Sequence, residues 1–187
     1  MITEERVRSR HRLQEAEGYL MLATSIASKF GLRADLRRRT VVKALRMARD
    51  CPVDLQHAWK RLLIMGQSLR VLRKYRAASV YLLEAARLEP TDPDIWLALG
   101  WALRRCGRLD QATTAVSRGL YFTPDHAGLH FNLACYLALL GQTPEAITEL
   151  LWALDIEPDL RRRVDCEPDF DRIRMEPAFQ AITQISV

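Results

Sequence analysis

Apolar residues recur along this chain at three- and four-residue intervals, and glycine and proline interrupt them at regular points. Between Pro93 and Pro124 the pattern is sharpest. Trp96, Leu99, Gly100 and Leu103 share one helical face, Gly107 breaks it, Ala112, Val116 and Gly119 mark a second helix, and Pro124 stops that helix. Asp92 sits where an N-cap belongs, and Pro93 takes the first helical position, where its missing N–H costs nothing. Asp110 restarts the chain after Gly107. The same pair of helices is predicted upstream from Leu62, Met65, Gly66 and Leu69, then Ala78, Leu82, Ala85 and Pro90. It is predicted again downstream from Leu133, Ala134 and Leu137, then Ala146, Leu150, Ala153 and Pro158. There Thr143-Pro144-Glu145 reads as a cap followed by proline at the first helical position.

The interval between equivalent positions is constant. Pro90, Pro124 and Pro158 fall 34 residues apart, as do Leu82, Val116 and Leu150, and Ala78, Ala112 and Ala146. A fixed period of this length marks stacked supersecondary units, none of which can bury its apolar face alone. Residues 59–92, 93–126 and 127–160 are therefore read as three helix–turn–helix repeats.

Upstream the beat weakens. Val7, Leu13, Ala16, Leu20, Ala23 and Ala27 form a helical stripe over 4–30, Gly31 to Asp35 break it, and Leu36, Val41, Ala44, Leu45 and Ala48 predict a helix over about 36–50. Residues 1–58 are read as a helical pair, either a divergent repeat or a cap that shields one end of the stack. Downstream, 161–187 reads as a capping segment in which Phe170, Ile173 and Phe179 are spaced to grip a surface.

Trp96, Leu99, Gly100, Ala112 and Pro124 resemble the tetratricopeptide pattern, with Leu103, Val116 and Gly119 as departures that remain small or apolar. The ending Glu167-Pro168-Asp169-Phe170-Asp171, with Arg174, Pro177 and Phe179 after it, is similar to acidic endings that follow repeat arrays in a group of bacterial proteins. So is the run Asn132-Leu133-Ala134-Cys135-Tyr136. The resemblance implies an all-α fold, a right-handed α-solenoid, with the first helix of each repeat lining a concave face. It implies that Gly100 and Ala112 are small because the paired helices cross closely there, and that Trp96 fills the space toward the adjoining repeat.

On that face the outward positions form a candidate groove. Lys60, Leu63, Gln67 and Arg70 come from the first repeat, Leu97, Trp101, Arg104 and the neighbouring Arg105 from the second, and Phe131 and Cys135 from the third. Leu63, Leu97, Trp101 and Phe131 make an apolar floor, with Lys60, Arg70, Arg104 and Arg105 at one edge. A peptide or helix with apolar anchors and acidic flanks suits it. The ninth helix positions hold Gln67, Trp101 and Cys135 rather than the Asn of carboxylate-clamp repeats, so a clamp for a peptide C-terminus is not expected. The alternative is that the groove is covered by the N-terminal helix or by a second copy.

Charge adds a second theme. The net charge is +5, but residues 1–90 carry 19 Lys and Arg against 9 Asp and Glu, whereas 91–187 carry 9 against 14. The first half is thus +10 and the second −5, a polarity that steers association with an acidic surface unless it is simply a solvated face. Arg37-Arg38-Arg39 and Arg161-Arg162-Arg163 could touch phosphates, but no aromatics are interleaved for base stacking, so nucleic acid is not expected as a partner.

Composition closes off several classes. Apolar residues make up 49% of the 187, enough for a continuous core. The opening stretch lacks the apolar core of a secretory signal, and no apolar run is long enough to span a bilayer. Cys51, Cys106, Cys135 and Cys166 are widely spaced and read as reduced thiols of a cytoplasmic protein. Cys135, on the groove face, is the thiol to test for reactivity. His126 and His130 share a metal-ligand spacing, but packing explains His130 and no third ligand is near. Asp165, Glu167, Asp169 and Asp171 read as a solvated cap rather than a calcium loop. No nucleophile elbow, phosphate loop or zinc-protease motif is present, so no cofactor, metal or catalytic centre is expected. The expectation is a non-enzymatic adaptor. Two alternatives stay open: a secretion-type chaperone, and a structural subunit docking through the basic half. Homo-oligomerisation also stays open.

Overall fold

A computed structural model describes residues 2–26, 31, 33–52 and 57–184. Its described residues are mostly helical and contain no strand. They form two compact units, Met1–Pro90 and Thr91–Val187.

The first unit begins with α1 (Ile2–Met21), which runs into a π-helical turn at Leu22–Ile26. Ala27, expected on the same stripe, lies outside the described residues. Then come α2 (Ala34–Arg49), α3 (Ala58–Val71) and α4 (Tyr75–Leu88). Leu13, Ala16 and Leu20 of α1 meet Ala44 and Ala48 of α2 and Ile64 and Met65 of α3 in one core. Gly66 lets α3 and α4 cross closely, since a Cβ there would lie 2.5 Å from Leu82 Cγ.

The second unit contains α5 (Pro93–Arg105), α6 (Leu109–Phe122), α7 (Ala127–Leu140) and α8 (Thr143–Ile156), packed as successive antiparallel hairpins. A 3₁₀ turn (Pro158–Leu160), the short α9 (Arg161–Val164), a second 3₁₀ turn (Pro168–Phe170) and α10 (Pro177–Gln184) follow. Asp92 caps α5 as expected, its carboxylate accepting the Asp94 N–H at 2.9 Å. The start of α8 differs by one residue: Thr143 is already helical, Gln142 takes the cap position, and no side chain caps the helix.

The hairpin turns repeat one conformation. Arg73, Gly107 and Gly141, spaced by 34, all have positive φ, at 60°, 74° and 78°. The left-handed residue lets the chain close the helix end and reverse, and glycine does so without steric cost.

Gly100 is close-packed for the expected reason, a Cβ there falling 2.6 Å from Val116 Cγ2. Trp96 is buried in the second unit. Its ring stacks on Phe122 at 6.4 Å, and its Cβ would lie 2.8 Å from a Cβ at Gly119, so it is buried against the second helix of its own hairpin.

Candidate functional site

In the first unit the groove positions lie along α3. Leu63, Gln67 and Arg70 are half-buried. Lys60 is ion-paired with Glu17 of α1 at 2.8 Å, so the N-terminal helix already answers one of the expected groove cations.

In the second unit the C-terminal segment occupies much of the predicted surface. Phe170 is fully buried and meets Phe131 edge-on at 5.6 Å, and Phe179 backs it at 5.5 Å. The Arg163 guanidinium lies over the Phe131 ring at 4.5 Å. Asp169, also buried, pairs with Arg104. Arg174 donates to the Glu167 carbonyl at 3.1 Å and Arg172 to the Leu139 carbonyl at 2.9 Å, which ties the segment to itself and to the end of α7. Phe170, Ile173 and Phe179 do grip a surface, as their spacing predicts.

Three expectations are corrected by this packing. Phe131 is a core residue and not part of an open floor, because Phe170 covers it. Arg104 carries an internal counter-ion. Cys135 is buried, and its thiol is pushed well above the ordinary range by burial and by the nearby Glu167 and Asp169 carboxylates, which makes it a poor nucleophile. The acidic run is likewise not simply solvated. Asp169 is buried, Glu167 accepts the Asp169 N–H at 3.5 Å, and Asp171 pairs with Arg174 at 3.0 Å.

Leu97 and Trp101 are half-buried and Arg105 is exposed, its guanidinium 5.8 Å from the Trp101 ring centre. Exposed apolar residues that sequence reasoning missed lie on the second helices of these hairpins. Tyr121, Phe122, Leu151 and Trp152 are exposed, Tyr121 at 82% and Trp152 at 55%. The signal was available, since these residues lie off the buried Ala112–Val116 and Ala146–Leu150 stripes. Beside Trp152 a cavity of about 490 Å³ opens between α8 and α10, floored by Leu151, Leu154 and Ile182 with Thr148, Asp155 and Arg161 around it.

The histidines have structural partners. His126 Nδ1 accepts the Leu129 N–H at 3.2 Å and caps α7. His130 lies 2.6 Å from Glu149 Oε2 and 2.8 Å from the Pro124 carbonyl, with its ring stacked on Trp152. Among the described residues no group of three His, Cys, Asp or Glu is placed to hold a metal ion, and no helix is long and apolar enough to cross a membrane. The four cysteines are free thiols, with Cys166 exposed and Cys51 buried.

Comparison with known proteins agrees with this architecture. A tetratricopeptide repeat model matches residues 81–114, which run from within α4 to within α6. No curated protein matches the chain. A crystal structure of MamA superposes with a TM-score of 0.59 at 16% identity, over 79% of this chain and 91% of that one. A second MamA structure, from AMB-1, gives 0.56 at 21% identity over 77% and 80%. YrrB, described as a TPR protein with an unusual peptide-binding site, gives 0.57 at 22% identity over 81% and 73%. At these identities the likeness shows the fold, and the fold is the all-α solenoid of tetratricopeptide repeat proteins.

Proposed function

We propose that this protein is a non-enzymatic adaptor that holds a partner protein on its repeat surface. The observation that carries the reading is the pairing of Arg105 with Trp101, an exposed cation beside a half-buried aromatic at a predicted groove position. A large ring with an adjacent charge is the kind of anchor on which binding energy concentrates. A partner segment with an apolar anchor and an acidic neighbour suits it. Within the same unit Leu97 is a further half-buried candidate, whereas Phe131 and Cys135 support the fold; Leu63, Gln67 and Arg70 are separate half-buried candidates on α3 of the first unit.

The test is affinity capture from the native host with wild type and Trp101→Ala/Arg105→Glu, followed by binding measurements with the purified partner. The expected result is a partner lost only in the variant, with affinity reduced by about 2 kcal/mol or more. A partner retained by the folded variant removes this face from consideration.

A second reading is favoured by a separate observation. On α2, Arg37, Arg38, Arg39 and Arg46 are exposed and form no ion pair with any described residue. The protein then acts as a structural subunit that docks its basic first unit on an acidic surface, and raised salt should weaken that association.

A further inference from the structure

The cavity between α8 and α10 and the outer face of α2 have complementary chemistry. On α2 the core face is set by Val41, Ala44 and Ala48. Helical spacing places Leu36, Arg39, Lys43 and Arg46 on the opposite side. Leu36 is 50% exposed, an aliphatic knob on a cationic stripe. Lys43 is held over the Tyr19 ring at 4.0 Å, which leaves Arg39, one helical turn beyond Leu36, as the charge nearest the knob on this face.

The cavity of the second unit is about 490 Å³, with room for an aliphatic side chain, and its apolar walls are Leu151, Trp152, Leu154 and Ile182. Stacking on His130 fixes the Trp152 ring at its mouth. The charges at the rim differ in availability. Arg161 donates to the Ile182 carbonyl at 2.5 Å and is engaged within the wall. Asp155 is exposed and makes no ion pair with any described residue. The site therefore offers an open apolar depression, an aromatic face and one available carboxylate, which together fit a leucine with an arginine one helical turn on.

We propose that this cavity receives α2 of a second copy of the chain. Leu36 enters between Trp152 and Ile182, and Arg39, one helical turn on, pairs with Asp155 and lies against the Trp152 face. The net charges of the segments that meet, +10 for residues 1–90 and −5 for 91–187, favour the encounter. The two contacting patches are different surfaces, so the contact is heterologous and builds head-to-tail chains or rings rather than a two-fold dimer. The inference rests on the second reading above and names the acidic surface that reading requires.

The test is sedimentation velocity on the full chain, from micromolar to near-millimolar concentration, at low and high salt. The expected result is concentration-dependent assembly that salt weakens. Asp155→Arg and Arg39→Asp should each weaken it by about tenfold or more, and the combined charge swap should restore it. Trp152→Ala should weaken it as well. These side chains are exposed, and circular dichroism melting verifies that the variants fold. A monomer at every concentration, or assembly indifferent to both reversals, overturns the proposal. The basic-face reading is judged separately, by whether salt-sensitive capture of another protein is lost in Arg39→Asp.

Discussion

Arg104, in the last turn of α5, is ion-paired with the buried Asp169 of the C-terminal segment. A cation expected to select a partner is thus engaged within the chain, and the segment that engages it also covers Phe131. Removing one member leaves the other charge poorly solvated. Asp169→Ala should destabilise the second unit by about 2–3 kcal/mol, below the range for fully buried pairs because Arg104 keeps some exposure. Arg104→Met/Asp169→Leu should cost less than Asp169→Ala alone, since no stranded charge remains. Urea unfolding of the variants measures both.

The same segment sets the chemistry of Cys135. Its thiol is raised above its unfolded value by burial first and by Glu167 and Asp169 after it. A group raised in the folded state contributes stability that is fully present below its unfolded value, about 8.5, and is lost as pH climbs toward the folded one. Wild type should therefore lose stability above that pH with a slope approaching 1.4 kcal/mol per pH unit from this thiol. Cys135→Ala should show a shallower alkaline slope in reductant. Iodoacetamide mapping offers a second readout: exposed Cys166 should react first, and Cys135 only on unfolding.

How much of this was legible in the sequence depends on the range of the contact. The hairpins follow from local periodicity, because Gly100 facing Val116 is a contact between neighbouring helices whose spacing repeats. The burial of Phe131 was not legible, because it depends on Phe170, 39 positions along the chain and outside the repeat. Helical spacing placed Phe131 on an outward face, and only a segment with no periodic counterpart turned that face into core. The bulk at Trp96 was legible for the same local reason as the hairpins, since Gly119 on the paired helix makes room for it.

Arg73 is a non-glycine residue at φ 60°, at the turn position that Gly107 and Gly141 fill elsewhere. Its Cβ crowds the backbone in that conformation, at a cost of roughly 1–2 kcal/mol. Arg73→Gly should stabilise the first unit by about 0.5–1 kcal/mol, the strain relieved less the added freedom of the unfolded chain. Thermal melting checks the sign. The matching Gly107→Arg should destabilise by a comparable amount.

Gly100 tests the helix crossing itself. In a solvated helix, glycine to alanine gains about 1 kcal/mol from propensity. Here the added methyl would lie 2.6 Å from Val116 Cγ2 and 3.3 Å from Tyr136 Cε2, and both neighbours are buried. The helices must part or the side chains must leave their rotamers, which costs about 1–3 kcal/mol. Gly100→Ala should therefore destabilise the second unit despite its better propensity. Val116→Ala alone should also destabilise, through the cavity it leaves, by about 2 kcal/mol. In the double variant the new methyl occupies that cavity, so the combined loss should fall short of the sum by about 1 kcal/mol or more. Urea unfolding of the four proteins closes the cycle. Strict additivity would mean that α5 and α6 do not approach as closely as the 2.6 Å contact requires.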